Sequence, residues 1–132
     1  MAEIHEVVYT KLTTHAGLSA LVSTRVHPDQ LPQRPTLPAV TYQRVTTLRI
    51  VTRDNSGKAN LARPRFQFDC WAETYNSARA VAAQLHDALT TFPQASSPRV
   101  DVALASNDFD DYEPDPGRYR VIFDAFIWHE ET

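Results

Sequence analysis

The chain has 132 residues, 42% hydrophobic and 22% charged, which suits a single globular domain over 1–132 and leaves too little for two independently stable cores. No apolar run reaches the ~18 residues of a membrane span, and the acidic start MAEIHEVVYTKL is unlike the basic head of a secretory signal, so nothing suggests export or a membrane partner. The lone cysteine, Cys70, excludes an internal disulfide, argues against a thiolate metal site and fits a reducing compartment. The net charge of −3 is unevenly spread: residues 1–66 hold nine Lys/Arg against four Asp/Glu, and residues 67–132 hold four against twelve. Halves of +5 and −8 suit a protein that meets a partner, a copy of itself included.

In chain order, Ile4, Val7, Val8 and Leu12 line one face of a helix over about 2–14, which Gly17 is expected to end. Leu18, Leu21 and Val22 make a second helical turn, and Arg25, Val26 and His27 a brief extended piece. Prolines 28, 32, 35 and 38 bar helix from the next stretch, which reads as a stiff brace carrying the chain from the helical layer to the sheet. From Ala39, the β-branched and aromatic Val40, Thr41, Tyr42, Val45, Thr46 and Thr47 read as a strand. Asn55-Ser56-Gly57 supplies a turn, and the return limb sets Phe66, Phe68 and Cys70 on one face, with Arg65, Gln67, Asp69 and Trp71 on the other. The pairing expected puts Val45 near Phe66 in a long hairpin projecting over about 44–66. Pro64 interrupts its return limb, as suits an edge. The outer part, 48–61, is expected to order on assembly rather than alone.

Thr74 is a good N-cap for a helix whose stripe is Ala78, Val81, Ala82, Leu85, Leu89 and Phe92, with Pro93 as its stop. Val100, Val102 and Leu104 alternate as a strand. The acidic stretch NDFDDYEPDPG reads as a solvated loop before a last strand over 118–128. The fold class is therefore α+β: a mostly antiparallel four-stranded sheet with two amphipathic helices on one face. The open face would gather Gln67, Asp69, Trp71, Phe126 and Trp128, too aromatic for idle surface.

Signs of chemistry are few. Gly17, Gly57 and Gly117 form no phosphate-cradling loop, and the five histidines make no metal-ligand pair on a helix face, so no cofactor or metal is expected. An EF-hand loop begun at Asp108 would put Glu113 where glycine is required and Tyr112 where a ligand is required. Cys70 lies among core aromatics, which suits packing better than nucleophilic chemistry. Asp69 and Asp124 can share the open face, as do the acid/base carboxylates of a small hydrolase or ligand-binding domain, though such pairs are usually held by arginines. The basic limb of Arg44, Arg49, Arg53, Lys58, Arg63 and Arg65 could meet phosphates of nucleic acid. The limb offers no aromatic residue for a base to stack on, and the chain as a whole is acidic, so specific nucleic-acid binding is not expected. Docking on an acidic surface accounts for it equally well.

Three stretches, LSALVSTRVHPDQLPQRPTLPAVTYQRV, RFQFDCWAETYNSARAVAAQLHDAL and YRVIFDAFIWH, resemble the tail-completion proteins of long-tailed bacteriophages, of the tail-to-head joining or tail-terminator type. The features that carry the resemblance are Leu37-Pro38 before a strand with Tyr42, the Gln67, Asp69, Trp71 alternation leading to Glu73 and Tyr75, and the closing aromatic strand. It implies a non-enzymatic virion protein, made in the host cytoplasm and placed at the head-tail junction as a ring, typically a hexamer. Its partners would be copies of itself, the tail-tube protein and the head connector. A closed ring uses two different patches of each subunit. The expected pair of patches is the basic limb and the acidic residues Asp108, Asp110, Asp111, Glu113 and Asp115, with charge reversal at Arg49 and Arg53 rescued by reversal at Asp110 and Asp111.

Overall fold

The computed structural model describes residues 4–33, 35–51, 59–92, 100–114 and 117–130. Its elements in chain order are α1 (Ile4–Thr14), α2 (Ala16–Val22), β1 (Val26–Pro28), β2 (Ala39–Val51), β3 (Ala59–Ala72), α3 (Tyr75–Thr90), β4 (Val100–Glu113) and β5 (Arg118–Glu130). The strands form one mixed sheet in the order β1-β2-β3-β5-β4, with the helices packed on one face. The α+β class is as the sequence indicates. The count differs, since among the described residues three helices and five strands replace two and four.

The short second helical turn expected at Leu18 to Val22 is the third helix of this count, and the chain breaks before it at His15 instead of Gly17. His15 takes an extended conformation, and its Nδ1 accepts from the Leu18 amide at 3.1 Å, so the ring caps α2. Its Nε2 then donates to Asp87 on α3 at 2.8 Å. Gly17 lies inside α2, where a Cβ would stand 2.0 Å from the Gln84 Oε1 of α3, so the glycine permits close helix approach.

The extra strand is β1, which pairs in parallel with the first residues of β2, Val26 with Val40 through Pro28 with Tyr42. The proline segment therefore links two parallel neighbours instead of crossing from the helices to the sheet. Hydrogen bonds hold both its ends. The Asp29 amide donates to the Tyr42 carbonyl at 2.8 Å, and Arg25 Nε donates to the Pro38 carbonyl at 2.9 Å. The Leu37-Pro38 bond is cis.

On the helix side of the sheet, Val40, Phe66, Phe68, Cys70, Phe123 and Ile127 meet Val8 and Leu12 of α1, Leu18 of α2, and the expected stripe of α3, all buried. Each large apolar side chain so covered contributes about 1.5–3 kcal/mol. Thr74 caps α3 by accepting from the Ser77 amide, and the helix closes at Thr91. Pro93, its expected stop, lies outside the described residues.

Pairing differs from expectation at two points. Arg44, not Val45, lies opposite Phe66, and the register then shifts before Thr46 with Arg65, leaving Val45 as an unpaired bulge residue, 41% exposed. Pro64 sits in a central strand: it is buried opposite Thr47, while the ladder to β5 runs from Ala62 with His129 to Arg65 with Phe126 and skips the residue without an N–H. Because β3 stays paired with β5 as far as Leu61 with Glu130, the hairpin is not a free arm over 44–66 on that side. Its Asn55-Ser56-Gly57 turn lies outside the described residues.

The acidic stretch is strand rather than loop. Asn107 to Glu113 continue β4, paired with Asp124 to Arg118, and the chain turns at Gly117, whose φ of +83° suits glycine and whose amide donates to the Glu113 carbonyl. Arginines and tyrosines on β5 and α3 supply the partners that let so acidic a segment lie in a sheet.

Candidate assembly surface

The open face of the sheet carries the residues the alternation assigned to it, in a ladder of charged and aromatic side chains. On β3, Arg63 lies over the rings of Phe126 and Trp128, at 4.7 and 5.4 Å from their centroids. Arg65 next to it donates to Asp124 at 3.0 Å. Gln67 donates to Asp69 at 3.3 Å, and Arg120 lies 3.6 Å from the same carboxylate while also bridging to Asp111 on β4. The guanidinium groups of Arg118 and Arg120 lie over the Trp71 ring, at 5.0 and 5.1 Å from its centroid, and Trp71 Nε1 donates to Thr41 Oγ1 at 3.0 Å. Arg118 closes the row on Glu113 at 3.3 Å.

These contacts bury the middle of the open face without helices. Thr41, Trp71, Ile122 and Asp124 are each less than a tenth exposed. Burial raises the Asp69 carboxyl above its ordinary range, against the lowering effect of Gln67 and Arg120. Asp111, in the open, is lowered by its hydrogen bond to that same Arg120. Asp69 and Asp124 do share the face, and each is held by an arginine. Cys70 points the other way, fully buried, with its thiol pushed far up by burial.

The acidic residues of β4 divide by alternation. Asp108 and Asp110 take the helix side, where Arg79 of α3 reaches both at 3.0 and 3.2 Å and Tyr75 donates to Asp110 at 3.0 Å. Those contacts raise both Tyr75 and Arg79. Asp111 and Glu113 take the open side with Arg120 and Arg118. Counting Asp69 of β3, five carboxylates meet three arginines, so this cluster keeps a net charge of −2. The sequence did not single out the aromatic residues among these acids: Phe109 and Tyr112 are about half exposed, on opposite faces of the strand, with the Tyr112 ring 4.6 Å from that of Tyr119.

Of the basic residues, Arg44 lies on the helix side of β2 with its guanidinium 5.8 Å from the Phe66 ring, and Arg49 is exposed further along the strand. Arg63 and Arg65 belong to the open-face ladder. Arg53, Lys58 and Asp115 lie outside the described residues. The acidic strand and the basic limb of β2 are thus on opposite edges of one sheet, with β3 and β5 between them. A cleft of about 310 Å³ lined by His5, Asp29, Tyr42, Arg44 and Phe66 opens beside β2, and burial there raises Tyr42. Among the described residues no group of three His, Cys, Asp or Glu could hold a metal ion, and no helix is long and apolar enough to cross a membrane.

With this geometry in hand, comparison with known proteins gives a consistent picture. The family model described as tail completion protein gp17 matches residues 6–130. A solved chain from a structure described as the virion of a native gene transfer agent particle shares the fold at a TM-score of 0.76 and 20% identity, over 94% of this chain and 92% of that one. A second solved structure shares it at 0.58 and 13% identity, over 97% and 96%. No curated protein matches the chain.

Proposed function

The chain belongs to the tail completion protein gp17 family, which makes it a structural protein of the phage tail and of the virion, and from that premise we propose that it acts as a ring of identical copies. The ring, hexameric in this reading, caps the tail tube at its head-proximal end and joins it to the head connector. The work is done by contacts between proteins, with the tail-tube protein on one side and the connector on the other, after synthesis in the host cytoplasm.

The observation that carries the ring is the placement of unlike patches on opposite edges of one sheet. An acidic, aromatic-studded strand forms one edge and a basic limb the other. A cyclic assembly joins two different patches on each copy, and opposite charge favours that join over contact between like edges. The occurrence of the same fold in a chain of a gene transfer agent virion supports a place in a phage-like particle.

The interface residues follow: Arg44, Arg49, Arg53 and Lys58 on one side, and Asp108, Asp110, Asp111, Glu113 and Asp115 on the other. Arg63 and Arg65 are drawn into the open face and contribute less. Reversal at Arg49 and Arg53 to glutamate weakens ring formation, measured by mass in solution. Full assembly of that variant would contradict the charge pairing. Rescue at Asp110 and Asp111 is not a clean test, because those carboxylates already pair with Arg79 and Arg120.

A further inference from the structure

Two long strand edges have no neighbour among the described residues. One is β2 beyond Tyr42, since β1 covers only Val40 to Tyr42, and the other is the whole of β4. A strand edge is a row of unpaired N–H and C=O groups, and sheets commonly blunt it with proline, brevity or a covering element. Neither strand contains proline, and β4 runs for 14 residues.

Direction decides what such edges can accept. From β2 to β3, β5 and β4 every pair is antiparallel, so β2 and β4 of one copy run in opposite senses. Copies rotated about an axis along the strands therefore bring β4 of one beside β2 of the next as an antiparallel pair. Joining like edges would set arginine against arginine or carboxylate against carboxylate, which is unfavourable.

We propose that in the ring β2 of each copy adds to β4 of the next by main-chain hydrogen bonds, with Leu48 opposite Phe109 and Arg49 opposite Asp108. This rests on the ring reading above and specifies how its subunits join. The register comes from the faces. Leu48 and Phe109 both lie on the open side, opposite Arg63 and Ile122 within their own chain, while Arg49 and Asp108 lie on the helix side. A slip of one residue would send each to the wrong face, and a slip of two would set Leu48 against Asp111 or Asn107. In the single subunit Leu48 is 50% and Phe109 49% exposed, so the pairing covers two apolar side chains and apposes two opposite charges.

The test is the full chain carrying Leu48→Cys and Phe109→Cys, assembled and then oxidised. Within one copy two strands separate these positions, roughly three strand spacings of ~4.8 Å, beyond the reach of a disulfide. The buried Cys70 does not compete. The double variant gives a ladder of covalent oligomers on a non-reducing gel that collapses with reductant, and neither single variant does. Rings visible by electron microscopy without a ladder overturn the strand pairing and leave the ring standing; a wild type that never forms rings overturns both. Should the double variant not assemble, hydrogen exchange on wild-type rings decides: amides of 43–51 and 108–113 slow by about tenfold or more on assembly. Unchanged exchange there overturns the proposal.

Discussion

On the helix side of β3, Phe66, Phe68 and Cys70 are fully buried among aliphatic side chains, while on its open side Arg63, Arg65, Gln67, Asp69 and Trp71 lie in a row of ion pairs and guanidinium-aromatic contacts. One strand thus faces two solvents, a hydrocarbon interior on one side and a polar film on the other. The first face holds the subunit together. The second is closed by contacts that are individually weak and ordered as a set, which orders the face without a second layer of structure over it.

Substitutions that act on one face at a time separate these roles. Phe68→Ala empties a fully buried site and lowers stability by about 3–5 kcal/mol in a urea titration; a loss under about 1 kcal/mol would mean that the helix side is not the main core. Arg120→Ala removes the group shared by Asp69, Asp111 and the Trp71 ring, and costs about 1–3 kcal/mol. An effect as large as that of Phe68→Ala would erase the distinction between the faces.

The smallest effect is in pH. The folded Asp69 carboxyl titrates above its ordinary 3.8 because burial penalises its charge, so its contribution to stability is full below 3.8 and is lost as pH rises through the folded value. Asp111 is lowered by Arg120 and works in the opposite sense: its contribution is present above 3.8 and is lost as pH falls through its folded value. Carboxyl NMR titration therefore finds Asp69 protonating at higher pH than Asp111, though both touch one arginine. The reverse order would mean that ion pairing outweighs burial on the open face.

Much of this contrast was legible in the sequence, because period-two alternation over 65–71 assigns both faces of β3 and the 3.6-residue stripe from Ala78 to Leu89 assigns the face of α3. The resemblance to tail-completion proteins likewise agreed with the family model. What stayed hidden depends on partners distant in sequence. Asn107 to Glu113 reads as a loop because its charges suggest solvent, yet Arg79, Arg118 and Arg120 pair with them across 5 to 31 positions and allow a strand. The brief extended piece expected at 25–27 is β1, but its place in the sheet is set by parallel pairing with Val40 to Tyr42, which no local pattern shows. The bulge at Val45 shifts the register by one residue with no local signal of glycine or proline. Nothing local in the sequence marks the role of His15, whose ring caps α2 through one nitrogen and donates through the other to Asp87 of α3, 72 positions away.

The most direct measurement of the central claim is electron microscopy of purified protein mixed with tail tubes that lack it, followed by addition of heads. The account predicts a ring at one end of each tube and joining to heads only when the protein is present. Tubes that remain bare, or that join heads equally well without it, would contradict it.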